Sequence, residues 1–372
     1  MNELIEILDD IETTEEYNGY ICSVRDAIII VILGSICGLK NVKQIHQWAL
    51  NEKISEFLKE KFQIKRIPCY YWLLCLLKLV KPESLNKCFT KWIDNALGEK
   101  NRENLTISLD GKTIRSTNKI ESYETPLHIV SAYISEIGMT FGQKVVDGKS
   151  NEIPAVQELI KELNIKGCVV TADALNCQKE TAQVIVNGKG DYLLCVKDNH
   201  ANLKKDIEDY IKDELSKDKI AKKVVCEKNR ERIEKRIAYI TYDINWLESK
   251  QEWAKLKSIG AICKEVESQK GNTTEWHYYI SSKKMTADEL LHHARMEWAV
   301  ETMHWILDVD LGEDYCRIED KNIQRNLNVL RKSALNIIKQ YKTKTSSKRA
   351  ISNIMLDCLI DCKNLLKVIY EN

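Results

Sequence analysis

Apolar residues recur at two different periods along this chain, and the change from one to the other near Asn104 divides it. Upstream the spacing is helical. The apolar run over residues 27–37 predicts a buried helix, with Ser23 placed to cap its start and Gly38 to end it. Ile45, Trp48, Ala49, Ile54, Phe57 and Leu58 share one face and predict a second helix from Val42. Pro68 suits the start of a helix over 70–80, and Pro82 opens another reaching Leu97. Helix, short glycine turn, helix fits a helix-turn-helix as well as a plain bundle. We take the bundle, and read residues 1–100 as an all-α amino-terminal domain.

Downstream the period shortens to two. Residues 105–109, 128–133 and 139–146 read as three strands, with Gly138 and Gly142 as turn or bulge signals. Residues 153–163 return to helical spacing, and so do 178–186. Residues 168–171 and 192–196 are short, apolar strands of the buried kind. Strands and helices in this order predict an α/β fold with a mixed sheet covered by helices. From 201 to 283 the pattern is charged and mixed, with strand-like pieces at 222–226, 237–242 and 278–281, and predicts an insertion with its own small sheet. Thr286-Ala-Asp-Glu289 is a capping box, from which one long helix should run past Trp305. A further helix over 324–341 turns Leu327, Leu330, Ala334, Ile337 and Ile338 inward and Arg331, Lys332 and Lys339 elsewhere. The sheet with its helices is assigned to 101–200 and 284–345, the insertion to 201–283, and a last helix to 346–372.

Composition narrows the class. A chain of 372 residues, 44% hydrophobic, has the size of two or three domains. Its longest apolar run is far short of the roughly 20 residues that span a bilayer, so no membrane segment is expected. The start is acidic, which argues against export and for the cytoplasm. Thirteen cysteines form no Cys-x-x-Cys pair and read as free thiols. The net charge of +1 averages over unequal ends: residues 1–24 hold seven acids and no Lys or Arg, whereas 321–349 hold nine bases and no acid. A one-sided basic segment can engage phosphates locally.

Three acids stand in suggestive places. Asp110 follows the first strand and Asp173 the fourth, so both carboxylates can leave the same edge of one sheet, where neighbouring strands lie about 4.8 Å apart. Two such carboxylates repel and ask for a cation, and hard oxygen donors select magnesium or manganese. Glu301 sits on the capped helix, in a stripe with Glu297, His304 and Asp308 at spacings of four, three and four. That stripe fits the lining of a site as well as a solvated face opposite Leu290, Leu291 and Ala294. Trp298 and Trp305 are expected to pack inward.

The surroundings of these acids carry a resemblance. Leu-Asp-Gly-Lys-Thr-Ile-Arg at 109–115, Lys-Ser-Asn-Glu-Ile-Pro-Ala at 149–155 and Thr-Ala-Asp-Ala-Leu-Asn-Cys-Gln at 171–178 resemble the ISAs-type, or H-repeat-associated, insertion-sequence transposases of the DDE superfamily. Asp191-Tyr-Leu-Leu, Val196-Lys-Asp-Asn199, Arg232-Ile-Glu-Lys-Arg236, Tyr279-Ile-Ser-Ser282 and His304-Trp-Ile-Leu-Asp-Val309 match in the same order. The resemblance implies an RNase H-like mixed sheet with a β-rich insertion before the helix carrying the Glu. It implies metal-dependent cleavage of transposon ends and strand transfer into target DNA. Asp110, Asp173 and Glu301 would be catalytic and would hold two Mg2+ or Mn2+ ions in the DNA complex, Asp110 bridging both. Lys112, Arg115, Lys149, Asn151, Lys197, Arg232, Arg236, Arg295, His304 and Arg331 are then the candidates for DNA contacts, and Asn151 and Glu152 for the rim of the site. The implied partners are double-stranded terminal inverted repeats and target DNA, bound by a homodimer at a prokaryotic nucleoid; the alternative is a catalytically silent, transposase-derived DNA-binding protein. The chain departs from the family where Glu297 precedes Trp298 in place of the usual His, and where Thr302 follows Glu301 in place of Asn.

Overall fold

Capping fixes the first long helix. Ser23 Oγ accepts from the Asp26 N–H at 3.0 Å, and the Asp26 carboxylate accepts from the Ser23 N–H at 2.8 Å, so two orphan donors are satisfied at once. A computed structural model describes residues 2–17, 22–98, 102–119, 126–146, 151–217, 220–229, 232–269 and 271–371. Within them six helices precede the first strand: α1 (Asn2–Ile7), α2 (Val24–Ile36), α3 (Val42–Ala49), α4 (Glu52–Phe62), α5 (Tyr70–Leu79) and α6 (Pro82–Leu97). Gly38 ends α2 at a φ of +74°, a conformation open to glycine at no steric cost. The single helix expected from Val42 is in fact two, because Asn51 turns its side chain onto the Lys53 N–H and caps a new start.

The sheet begins with β1 (Thr106–Thr113), β2 (His128–Ile134) and β3 (Met139–Val145), followed by α7 (Glu152–Glu162), β4 (Val169–Ala172), α8 (Lys179–Asn187) and β5 (Asp191–Val196). Then come α9 (Ala201–Ser216), β6 (Ala221–Asn229), β7 (Arg232–Thr241), β8 (Ser258–Ser268) and β9 (Gly271–Ser281). All nine strands form one sheet in the order β3-β2-β1-β4-β5-β9-β8-β7-β6. Strands β1, β4 and β5 run parallel, and the remaining pairs are antiparallel. The separate small sheet expected for 201–283 is therefore corrected. β9 pairs with β5, Leu194 opposite Ile280, and carries the sheet outward into the insertion. A strand as apolar as β5 needs partners on both edges, and its second partner lies more than 80 residues away in sequence.

Five helices complete the chain: α10 (Ala287–Glu297), α11 (Ala299–Val309), α12 (Lys321–Lys344), α13 (Ile351–Ile360) and α14 (Cys362–Tyr370). α10 lies across β1, β4, β7 and β8, with Leu290, Leu291 and Ala294 against Val169, Leu193, Ala238, Ile240 and Ile262. A Cβ on Gly260 would come within 2.7 Å of Leu290 Cδ2, so the bare backbone of β8 is what lets the helix settle. Truncating a buried leucine such as Leu290 typically costs about 2–5 kcal/mol. The position of α10, and of the acids at its end, is thus held by packing. α12 packs against α2, α5, α6, α14 and β3, and is buried nearly all round from Ile323 to Ile338. Among the described residues no helix is long and apolar enough to cross a membrane, and all thirteen cysteines are free thiols.

Candidate active site

The register of the parallel strands aligns the first two acids. Leu109 of β1 is opposite Ala172 of β4, so Asp110 and Asp173 leave the carboxyl ends of neighbouring strands. Asp110 is still within β1, paired with Ser131 of β2, rather than just beyond its end as expected. Its Oδ2 lies 3.1 Å from His304 Nε2, off the line of a hydrogen bond, and among the described residues neither ring nitrogen of His304 has a hydrogen-bond partner. Asp173 caps a short 3-10 turn: Oδ1 accepts from the Asn176 N–H at 3.1 Å and from Asn176 Nδ2 at 3.0 Å. Burial pushes the Asp173 pKa up, and the charges of Glu152 and Asp110 add to the rise against the opposing Asn176 hydrogen bonds.

The remaining acids come from the other side. Thr286 and Glu289 form the expected capping box at the start of α10. The helix breaks at Trp298 and restarts as α11, in place of one helix past Trp305. Glu297 ends α10 and lines a cleft of about 470 Å³ with Asp173, Lys197, Arg236, Lys264, His277, Arg295 and Trp298. Its pKa is pushed up to about 8 by burial, with the charges of Asp173, Asp110 and Glu301 adding and that of Lys197 opposing. Glu301, in the first turn of α11, is exposed and makes no hydrogen bond or ion pair among the described residues. Asp308, the last of the stripe, is drawn away to Lys112.

Both tryptophans expected in the core are exposed, Trp298 at 59% and Trp305 at 58%. Val300, Met303, Ile306 and Leu307 occupy the buried side of α11, which leaves Trp305 on the outer side. Lys264 Nζ sits 5.9 Å from the centre of the Trp298 ring.

The candidate DNA contacts divide by their partners. Lys197 follows β5, is exposed, lines the cleft beside Asp173 and makes no ion pair among the described residues. Arg295 pairs with Glu227, Arg236 with Glu227 and Glu234, and Arg232 with Glu234. Arg115 is exposed and reaches Asp314 at 3.7 Å. Asn151 is exposed at the N-cap position of α7, and Lys149 lies outside the described residues. Two readings are corrected. Lys112 is tucked between Asp308 and Glu313, the latter at 2.8 Å, so its charge is already matched. Arg331 is only 4% exposed and donates to the Lys40 carbonyl at 3.3 Å. The basic stretch 321–349 is in large part the buried spine α12, where Lys332 donates to Ser131 and Gln143 and burial lowers its pKa to about 8.

Sequence reasoning missed His128 and Asn176. Asn176 is fully buried and its amide also donates to Glu152 Oε1 at 2.8 Å, while Glu152 Oε2 meets His128 Nε2 at 2.9 Å. Asp173 is a recognisable cap for the turn that follows it, but nothing in the sequence marks the Asn176 amide, and His128 opens β2 with no mark either. A second group of possible metal ligands, Glu136, His292 and His293, has atoms within 4.8 Å of one another near Thr106, the first residue of β1. It is already satisfied by hydrogen bonds. Glu136 accepts from the Thr106 N–H at 2.9 Å, from its hydroxyl at 2.5 Å and from His292 at 3.1 Å, and His293 Nδ1 meets the same hydroxyl at 2.8 Å.

Residues 102–337 match the family model of the transposase DDE domain, and residues 5–93 match that of the region associated with it. The chain therefore belongs to the DDE transposase family of insertion sequences, in its H-repeat-associated branch. It is 30% identical over 344 residues to the H repeat-associated putative transposase YhhI of Escherichia coli K12, covering 89% of each chain. It is also 30% identical over 342 residues to the putative protein YbfL of the same strain, again 89% of each. With the putative transposase YncI of Escherichia coli O157:H7 it shares 28% identity over 347 residues, 90% of this chain and 87% of that one.

Proposed function

We propose that this transposase is catalytically active, cleaving the ends of its element and joining them to target DNA, with Asp110, Asp173 and Glu301 as the metal-holding residues. One observation carries the reading. Asp110 and Asp173 leave adjoining parallel strands beneath Glu297 and Glu301, and among the described residues the cation that lines their cleft without an ion pair is Lys197. Burial, with the neighbouring carboxylates adding to it, disfavours the charged form and raises the pKa values of Asp173 and Glu297. An all-oxygen set of this kind fits Mg2+ or Mn2+. When bound, such ions supply an activated water or DNA 3′ hydroxyl and stabilise the leaving oxygen.

The chain's own part is placement. Asp173 is held by Asn176, and His304 borders Asp110 with both ring nitrogens free of hydrogen bonds among the described residues. Lys197 stands at the mouth of the cleft, where it can take a phosphate oxygen as a point charge. In this reading β1 to β5 with α10 to α12 form an RNase H-like catalytic domain over 101–200 and 284–345. Residues 201–283 are its β-rich insertion, 1–100 an all-α domain and 346–372 a carboxyl-terminal helical segment. Double-stranded terminal repeats and target DNA are the substrates, bound by a homodimer at the nucleoid. The test is cleavage of the element's own ends with magnesium, parent against Asp173→Asn. Cleavage by the parent alone is expected; DNA binding without cleavage by either protein would make the chain a silent derivative.

A further inference from the structure

We propose that Glu152, backed by His128 and linked through Asn176, is a positioning residue that fixes the orientation of Asp173; this rests on the reading of Asp173 as a metal ligand. Each bond in the chain has a defined sense. A carboxylate only accepts, so the two hydrogens of the Asn176 amide are both committed, one to Asp173 Oδ1 at 3.0 Å and one to Glu152 Oε1 at 2.8 Å. Glu152 Oε2, 2.9 Å from His128 Nε2, requires the proton on that nitrogen. In a neutral ring Nδ1 is then the acceptor, and the Thr113 hydroxyl lies 2.8 Å from it. Thr113, His128, Glu152, Asn176 and Asp173 form one connected network joining β1, β2, α7 and the end of β4, in which Glu152 accepts from both sides and Asn176 donates to both carboxylates.

The network holds one oxygen of Asp173 and leaves the other without a partner among the described residues. Each oxygen of Glu152 accepts a hydrogen bond, one from His128 and one from Asn176, which suits it to support a ligand. An independent observation comes from Gly111, the neighbour of Asp110. A Cβ there would fall 2.1 Å from Glu152 Oε2 and 2.6 Å from His128 Nε2. The strand carrying Asp110 thus lacks a side chain at Gly111, where the pair of Glu152 and His128 presses closely against it. Carboxylates that are themselves hydrogen-bonded in this way make better-oriented ligands, and loss of such outer partners typically costs about 10- to 100-fold in metal affinity.

The test measures Mn2+ binding to the DNA-free full-length protein by electron paramagnetic resonance, beside the Mg2+ concentration giving half-maximal cleavage. Glu152→Gln places an amide against a donor on at least one side, and Asn176→Ala removes the bridge. Both are expected to weaken Mn2+ binding and raise the Mg2+ requirement about tenfold or more, with metal-free DNA binding unchanged. Normal Mn2+ binding by a folded Glu152→Gln or Asn176→Ala, while Asp173→Asn binds poorly, would overturn the positioning role and leave the ligand assignment standing. Normal binding by Asp173→Asn would overturn both. Should Glu152→Gln not fold, Asn176→Ala decides alone.

Discussion

At its amino end β1 sets Thr106 against Glu136 and His293; at its carboxyl end it sets Asp110 beside Asp173, Glu297 and His304. The two ends use similar side chains on one strand and treat them differently. At the amino end Glu136 accepts two bonds from Thr106 and one from His292, and the buried His293 is kept neutral, its pKa lowered to about 4 chiefly by burial. At the carboxyl end two carboxylates have raised pKa values, and among the described residues His304 has no hydrogen bond. Polar groups that are mutually satisfied stabilise a fold. Like charges gathered without partners weaken it, and persist where they serve something bound.

Substitutions should pull the two ends apart. The largest effect is on activity: Asp110→Asn should abolish cleavage while leaving the urea midpoint equal to or above that of the parent, since one like charge is gone. A fall in stability comparable to that of a core truncation would place Asp110 among the structural groups. At the amino end the effect is on stability and depends on pH. A histidine whose folded pKa lies near 4, below its ordinary 6.5, resists protonation in the fold. Its contribution is complete above about pH 6.5 and is lost as pH falls toward 4, amounting to about 3 kcal/mol. Urea titrations across that range should show this loss in the parent and little of it in His293→Gln, with DNA cleavage at pH 7.5 retained by both. The smallest effect is a gain. Magnesium at ten times its dissociation constant should stabilise the parent by about 1.4 kcal/mol, read as a rise in Tm, and should leave Asp110→Asn unmoved.

Much of this was legible in the residues. The strands β1 to β3 follow from a period of two, β4 and β5 from short apolar runs and the helices between them from a period of 3.6, and the caps at Ser23 and Thr286 mark their helix starts to the residue. Local pattern fails where the decision is made far away. β5 completes its pairing with β9, and neither strand announces the other, so the insertion read as separate. α9 was hidden in charged sequence because only one side of it, with Leu203, Ile207 and Ile211, is buried, and the uncharged, buried start of β8 was submerged in the charged stretch around it. The break at Trp298 has no Pro or Gly to signal it, and it leaves two tryptophans on the surface that helical spacing assigned to the core. Lys332 and Arg331 read as solvent-facing because cations usually are; Ser131, Gln143 and the Lys40 carbonyl supply the partners that let them in. At the site, Asp110 and Asp173 were visible through their positions at strand ends, whereas the Glu152, His128 and Asn176 network joins residues up to 48 apart and exists only once the sheet has formed.

α12 governs how this gene can decay. Its apolar residues close the core of the leading helices through α2, α5 and α6 and that of the sheet through β3. Neither half has a finished interior without it. A frameshift ahead of residue 321, or a deletion that spares only one half, would leave exposed hydrophobic surface for proteases rather than a smaller working protein. Loss by point substitution at an acid, by contrast, would leave both interiors intact and the chain well folded.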